Sequence, residues 1–303
     1  MLQGTNLRKL QIADLYILLE VKRICTEHDI PYFLIGGTLL GAVRHKGFIP
    51  WDDDVDVGML RDDYEKFISV CSHDLRSAFI LQTKETDMNY PNPWAKIRLR
   101  GTSRLEEGYN YESSITDTQG IDIDIFPFDN LPKSELKQWF ISLCLKVSRS
   151  LYRYRCGCHI QNKKISIAKK LLLKFYNILY HLISKEQLSK NIDYLMKKYN
   201  DKQTNFVINY VGAYSYQRER VNIDVVSKLI ELPFEQNTFS CPLEYDRYLK
   251  NVYGNDYMDI PKKEDRIQHN ILELNLGEYA DIDKIPLEKL SDYSPKISIN
   301  KRG

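Results

Sequence analysis

The residues best suited to chemistry in this chain are aspartates set at every second position among apolar side chains. In Pro50-Trp-Asp-Asp-Asp-Val-Asp-Val57, Asp52, Asp54 and Asp56 share one parity, and Val55 and Val57 take the other. As a strand, this segment turns three carboxylates to one face and the valines into a core. Like charges that close raise one another's pKa unless a cation sits among them, so the pattern predicts bound metal. Oxygen donors select Mg²⁺, Mn²⁺ or Ca²⁺ over zinc. A second alternation, Gly120-Ile-Asp-Ile-Asp-Ile-Phe-Pro127, offers Asp122 and Asp124 on one face. Two such strands side by side form a two-metal platform. A lone Asp run is ordinarily a solvated edge or turn, but strict interleaving with Val and Ile in two separate segments argues against that. Asp52, Asp54 and Asp56, with Asp63 at the twelfth position, imitate a calcium loop; that loop needs glycine sixth, and Val57 stands there.

A glycine turn supplies what carboxylates lack. Gly36-Gly37 lets backbone approach a ligand closely, and a helix opening at Thr38 aims free N–H groups and its dipole at a phosphate. The cradle matches neither the P-loop nor G-x-G-x-x-G. Arg44, His45 and Lys46 follow it, and Lys96, Arg98, Arg100 and Arg104 precede the second acidic strand. Such cations can hold phosphates against metals. Cradle, Asp strands and flanking bases together point to metal-assisted phosphoryl or nucleotidyl transfer, in which ions stabilise the attacking and leaving oxygens.

These groups require a scaffold of alternating elements. Leu10, Ala13, Leu15, Ile17, Leu18, Val21, Ile24 and Cys25 lie at helical spacing over 7–28, and His28-Asp-Ile-Pro31 ends the pattern. Tyr32–Ile35 is a short buried strand, Arg61–Leu75 a helix, and Trp94–Leu99 another strand. From Ser134 to about Tyr199 the pattern is helical almost throughout, including an amphipathic helix with a basic face around 165–183. Beyond Asn200 turn signals recur and no regular period stands out.

The run Phe33-Leu-Ile-Gly-Gly-Thr-Leu-Leu-Gly-Ala-Val-Arg-His-Lys-Gly-Phe-Ile-Pro-Trp-Asp-Asp-Asp-Val-Asp-Val57, followed by Met59-Leu-Arg-Asp-Asp-Tyr-Glu-Lys-Phe67, resembles the signature of the LicD family of phosphotransferases. The likeness continues at Lys96-Ile-Arg98, Asp122-Ile-Asp-Ile-Phe-Pro127, Tyr245-Asp-Arg-Tyr-Leu249, Val252-Tyr-Gly-Asn-Asp-Tyr-Met258, Pro261 and His269, and skips the basic middle. It implies an α+β fold: a nucleotidyltransferase-like mixed sheet with flanking helices, to which the basic helical segment is added. The division expected is a catalytic core over 1–132, the basic helical segment over 133–200, and a C-terminal region over 201–303 that completes the site. LicD-like enzymes transfer phosphocholine from CDP-choline to a sugar of a teichoic acid, capsule or lipopolysaccharide precursor, and fukutin-related relatives transfer ribitol phosphate from CDP-ribitol. The resemblance implies Gly37 and Thr38 as nucleotide-phosphate contacts, Asp54 and Asp56 as ligands of Mg²⁺ or Mn²⁺, and Asp122 or Asp124 as a third carboxylate. Asp124 is the first choice for the general base and third ligand. Gly36, Arg44, Lys46, Lys96, Arg98 and His269 complete the substrate-binding set; His269 matches a recurring family position. Gly58 departs from the family, standing where a larger residue is often found. The expected reaction is attack of a sugar hydroxyl on the distal phosphorus of a CDP-alcohol, releasing CMP. A nucleotidyltransferase on the same fold would release pyrophosphate instead.

Charge adds a partner. The 303 residues carry a formal net charge of +2, yet the fifty residues between Glu135 and Glu186 hold eleven Lys or Arg and no Asp or Glu, and subtracting them leaves the remainder at −9. A nucleic-acid surface would use such a segment, with Arg149, Tyr152, Arg153, Tyr154 and Arg155 interleaving base and aromatic, but it leaves both Asp strands unexplained. The expectation adopted is peripheral attachment of 137–185 to the anionic inner face of the plasma membrane, near a lipid-linked glycan acceptor. The N-terminal residues lack the apolar centre of a secretory signal. The six cysteines include no CxxC, which predicts reduced thiols and a cytoplasmic site.

Overall fold

The computed structural model describes residues 2–107, 113, 119–158, 183–202 and 204–294. Its elements follow in chain order: α1 (Gly4–Glu27), β1 (Phe33–Leu34), α2 (Gly36–His45), β2 (Asp56–Leu60), α3 (Arg61–Asp74), β3 (Phe79–Gln82), β4 (Ala95–Leu99), β5 (Ser103–Glu106) and β6 (Asp122–Asn130). Next come α4 (Glu135–Arg155), α5 (Lys185–Lys197), β7 (Phe206–Ile208), α6 (Tyr216–Glu219), β8 (Arg220–Asn222), α7 (Ile223–Ser227), β9 (Leu229–Phe234), β10 (Asn237–Pro242), α8 (Tyr245–Tyr253) and β11 (Ile271–Asn275). The fold is α+β. Its mixed sheet has the order β1-β2-β6-β4-β3, with β7 pairing β6 and β8 pairing β7. The β2–β6 ladder is parallel and the other ladders are antiparallel.

Alternation along β6 sorts its faces. Ile123 and Ile125 are buried beside Ile97 of β4, while Asp122 and Asp124 turn the other way. Helices α1 and α3 pack on the sheet, and Leu10, Leu15, Ile17, Leu18, Val21 and Ile24 of α1 are fully enclosed. So much apolar surface on one long helix is reason enough for it to sit in the core.

Two expected boundaries move. Of the three same-parity aspartates, Asp56 alone lies in a strand, because Asp52–Val55 is an irregular approach to β2. The reason lies in the pairing: β1 reaches only Val57 and Gly58, and the β6 ladder begins at Asp56, so nothing holds the preceding consecutive Asp residues extended. Helix α2 starts at Gly36 rather than Thr38, placing both glycines in its first turn, with Gly36 at φ +53°. The second acidic strand begins at Asp122 and runs on to Asn130.

The helical run after Ser134 comprises α4 and α5, which pack against each other. The amphipathic helix expected around 165–183 falls almost wholly outside the described residues, as do Lys163, Lys164, Lys169, Lys170 and Lys174. No helix among the described residues is long and apolar enough to cross a membrane. The C-terminal residues, illegible in sequence, extend the sheet through β7 and β8, pair β11 with β5, and form the β9–β10 hairpin.

Gly58 has a steric explanation. A Cβ there would lie 2.6 Å from Phe33 Cε2 and 2.8 Å from both Ile35 Cγ2 and Phe128 Cε2. The Phe33 and Phe128 rings, 5.2 Å apart edge to face, occupy the volume that a side chain at 58 would need. Gly58→Val is therefore expected to cost about 1–3 kcal/mol by overpacking, read as a lowered urea midpoint. An unchanged midpoint would contradict this packing.

Candidate active site

The sheet register brings the acidic segments together. Asp56 of β2 stands directly beside Asp124 of β6, and Asp124 in turn faces Lys96 of β4. One row across three strands thus reads carboxylate, carboxylate, ammonium. The N-terminus of α2 abuts the same place: a Cβ on Gly36 would lie 3.2 Å from Asp56 Oδ2, and one on Gly37 would lie 2.7 Å from Asp52 Oδ2. Glycine here lets the helix terminus and the acidic cluster touch. The Thr38 hydroxyl accepts the Asp56 N–H at 2.9 Å, so its oxygen fixes β2 to α2.

The carboxylates divide into compensated and uncompensated groups. Asp122 is buried, with Arg98 Nη1 2.7 Å from Oδ1 and Lys96 against Oδ2. Burial alone would raise its pKa, but Arg98 and Lys96 hold it well below the usual carboxylate range. Arg98 is itself held by Gln82 Oε1 at 2.6 Å and the Gly120 carbonyl at 2.7 Å, which directs it to Asp122 rather than to open space. Asp124 Oδ1 receives Trp94 Nε1 at 2.6 Å and Lys96 Nζ at 2.9 Å, and among the described residues Oδ2 has no hydrogen-bond partner. Asp52, Asp54 and Asp56 are all pushed up: by burial first, then for Asp56 by Asp54 and Asp124, and for Asp52 by Asp54, with which it shares a hydrogen bond. Burial at Asp54 is opposed by His269 and Arg104. Half-buried oxygen donors under mutual repulsion suit a hard divalent cation, which relieves the repulsion that raises them. Among the described residues at this site, the donors whose ligand atoms come within 4.8 Å of one another are Asp53, Asp54 and His269, and the in-register carboxylates of Asp56 and Asp124 add oxygen donors of the type a hard divalent cation takes.

His269, 216 positions from its partner, is brought in by Asp53. Its backbone N–H donates to Asp53 Oδ2 and its Nδ1 lies 3.0 Å from Asp53 Oδ1, with Asp54 Oδ2 3.8 Å away. That Asp53 hydrogen bond, against the opposing effect of burial, raises the imidazole pKa to about 9. Asp53 escapes sequence reasoning because its odd parity places it with the core valines. Asp14, on α1, escapes for another reason: it sits in an apolar helical stripe. It is fully buried, neither carboxylate oxygen has a hydrogen-bond partner among the described residues, and burial pushes its pKa well up against the pull of Arg104.

Two expected contacts lie elsewhere. Arg44 Nη1 donates to the carbonyls of Tyr257 and Asp259, both at 2.9 Å, and so ties α2 to the loop after α8. Lys46 is exposed at the C-terminal end of α2, about 13 Å along the axis from the glycines.

Comparison with known proteins agrees with this arrangement. Residues 29–143 match the family described as LicD/FKTN/FKRP, nucleotidyltransferase domain. Over 277 residues the chain is 31% identical to the lipopolysaccharide cholinephosphotransferase LicD of Haemophilus influenzae, covering 88% of this chain and 97% of that protein. A segment of 34 residues is 56% identical to the ribitol 5-phosphate transferase FKRP of Homo sapiens, covering 11% of this chain and 7% of that one. With a likeness that spans most of this chain and nearly the whole of the Haemophilus influenzae protein, and a family match that includes the acidic strands and glycine turn, the chain belongs to the LicD family of phosphotransferases.

Proposed function

We propose that this enzyme transfers a phospho-alcohol, phosphocholine foremost, from a CDP-alcohol to a sugar hydroxyl of a cell-surface glycan precursor and releases CMP. The observation that carries this is the in-register pair Asp56 and Asp124 on adjacent parallel strands, facing the N-terminus of α2. The name of the Haemophilus influenzae relative supports choline as the alcohol and lipopolysaccharide as the glycan. The ribitol 5-phosphate transferase match supports a wider phospho-alcohol class.

Asp54 and Asp56 would hold Mg²⁺ or Mn²⁺, which, when bound, would neutralise charge on the pyrophosphate and the departing CMP. The N-terminus of α2 at Gly36 and Gly37 receives a donor phosphate. Lys96 keeps Asp124 in place and adds positive charge beside the transferred phosphoryl group. Asp122, locked between Arg98 and Lys96, is a weak base and serves to anchor Lys96. That leaves Asp124, through Oδ2, to take the proton of the acceptor hydroxyl. Incubating the chain and Mg²⁺ with CDP-choline, CDP-ethanolamine, CDP-glycerol or CDP-ribitol, with CTP and UTP as controls, tests the reading. CMP from a CDP-alcohol is expected; pyrophosphate from a nucleoside triphosphate, with every CDP-alcohol silent, overturns it.

The acceptor side points to a membrane surface. Leu136, Trp139, Phe140 and Leu143 follow helical spacing along α4 and are exposed, with exposed Lys133, Lys137 and Lys146 beside them. An apolar stripe rimmed by cations suits the cytoplasmic face of an anionic leaflet. Leu136→Ser with Phe140→Ser is expected to lower co-sedimentation with phosphatidylglycerol vesicles at least about tenfold, and wild-type binding by this pair would contradict the docking face.

A further inference from the structure

Residues 51–54, which lead the acidic cluster into β2, belong to no strand, and the segment 257–269 is tied to them and to α2 from several directions. The guanidinium of Arg266 lies 4.0 Å from the centre of the Trp51 ring, and Gln268 Nε2 donates to the Trp51 carbonyl at 2.6 Å. Next along, the His269 N–H donates to Asp53 Oδ2 at 3.0 Å. Trp51 also meets the His45 ring edge to face, with 6.4 Å between centres. His45 Nε2 accepts from Arg44 Nε at 3.0 Å, and Arg44 Nη1 returns to the segment through the carbonyls of Tyr257 and Asp259. The segment alternates as extended chain does: Arg266 and Gln268 are half-buried against Trp51, while Ile267 between them is 84% exposed.

Asp52 and Asp54 repel each other across the residue that His269 holds, and an irregular run without outside restraint lets such carboxylates spread apart. A sheet ladder would supply the restraint; here contacts from far along the chain supply it. We propose that Arg266 and Gln268 are positioning residues: by clamping Trp51 they set the backbone from which Asp52, Asp53 and Asp54 project, and so preorganise oxygen donors for a divalent cation. This rests on the proposed divalent-cation reading and adds to it two residues that act through Trp51. The planar Arg266 guanidinium stacks on the indole and keeps its charge at every working pH, so the contact holds whatever the protonation of the nearby carboxylates. Gln268 holds the peptide that joins Trp51 to Asp52, and Gln11 Nε2 of α1 holds the next carbonyl, that of Asp52, at 3.0 Å. Two consecutive peptides are thereby fixed. Donors ordered beforehand lose less conformational entropy when an ion binds. Residues that orient ligands rather than supply them commonly change metal affinity by about 10–100-fold.

Hydrogen exchange of the full chain in EDTA, with Mn²⁺ binding counted from the electron paramagnetic resonance of the free ion, tests the clamp. Arg266→Ala and Gln268→Ala are each expected to speed exchange in peptides covering 50–55 at least about fivefold and to weaken Mn²⁺ at least about tenfold, with melting in EDTA unchanged. Gln268→Ala serves should Arg266→Ala fold poorly. Ile267→Ser, on the outward side of the same segment, is expected to leave both readouts as in wild type. In CMP release the two alanine variants are expected to raise the half-saturating Mg²⁺ at least about tenfold and to return within about threefold of the wild-type kcat at saturating Mg²⁺, a split that a general loss of fold would not give. Exchange and Mn²⁺ affinity within about twofold of wild type in both variants, or no Mn²⁺ bound by wild type, overturns the clamp. CMP release with an unchanged Mg²⁺ requirement in both variants overturns the clamp alone. Faster exchange and weakened Mn²⁺ in the variants, when wild type releases no CMP from any CDP-alcohol, supports the clamp and overturns the reaction.

Discussion

Asp56→Asn is expected to fold as the wild type does and to lose CMP release by a factor on the order of 10³. Asparagine preserves volume and removes one charge from a cluster in which Asp52, Asp54, Asp56 and Asp124 raise or crowd one another. The backbone N–H of residue 56 still donates to Thr38, so the α2–β2 junction survives. Removing one of several clustered like charges also relieves repulsion, so the metal-free variant is expected to melt at the same temperature as wild type or higher. This opposite movement of activity and stability separates a functional carboxylate from a structural one. Circular dichroism melting in EDTA, together with a CMP-release assay in Mg²⁺, reads both. Activity within about tenfold of wild type would contradict a role for Asp56 in holding the ion.

The second large effect lies at the far end of β6. Arg61, opening α3, donates from Nε to Asp129 Oδ1 at 2.8 Å and from Nη2 to Oδ2 at 2.6 Å, and Asn200 Nδ2 adds a third bond to Oδ1 at 2.6 Å. Asp129 is fully buried. Arg61→Ala leaves that carboxylate without its counter-charge in the core and is expected to destabilise the chain by about 3–5 kcal/mol. Replacing both partners, Arg61→Met with Asp129→Leu, is expected to recover most of the loss, because a buried pair offers little over apolar residues of similar volume. Urea unfolding measures both variants. A loss below about 1 kcal/mol for Arg61→Ala would show that the pair does not secure α3 to the sheet.

Sequence patterning reads best where one element decides the answer. The alternation around Ile121–Phe126 leads directly to β6, because both parities are used: Ile123 and Ile125 inward, Asp122 and Asp124 toward the site. The same alternation misleads at Asp52–Asp54, where no neighbouring strand enforces the period. Long-range partnerships leave no local trace. Asp53 gains its importance from His269, which nothing in the spacing of either residue announces. Asp14 is hidden because an isolated acid in a helical stripe of Leu and Ile reads as an exposed position, whereas α1 is buried around that point. The C-terminal strands are short, and β7, β8 and β11 acquire their order from β6 and β5 rather than from their own periodicity.

On the proposed reading, the acidic row at Asp56 and Asp124 works with a divalent cation to release CMP from a CDP-alcohol. The most direct test follows CMP formation from CDP-choline by the purified chain, stripped with EDTA and then titrated with Mg²⁺. No CMP before addition and saturable restoration by Mg²⁺ is the predicted result; CMP released at full rate from the stripped protein would contradict it.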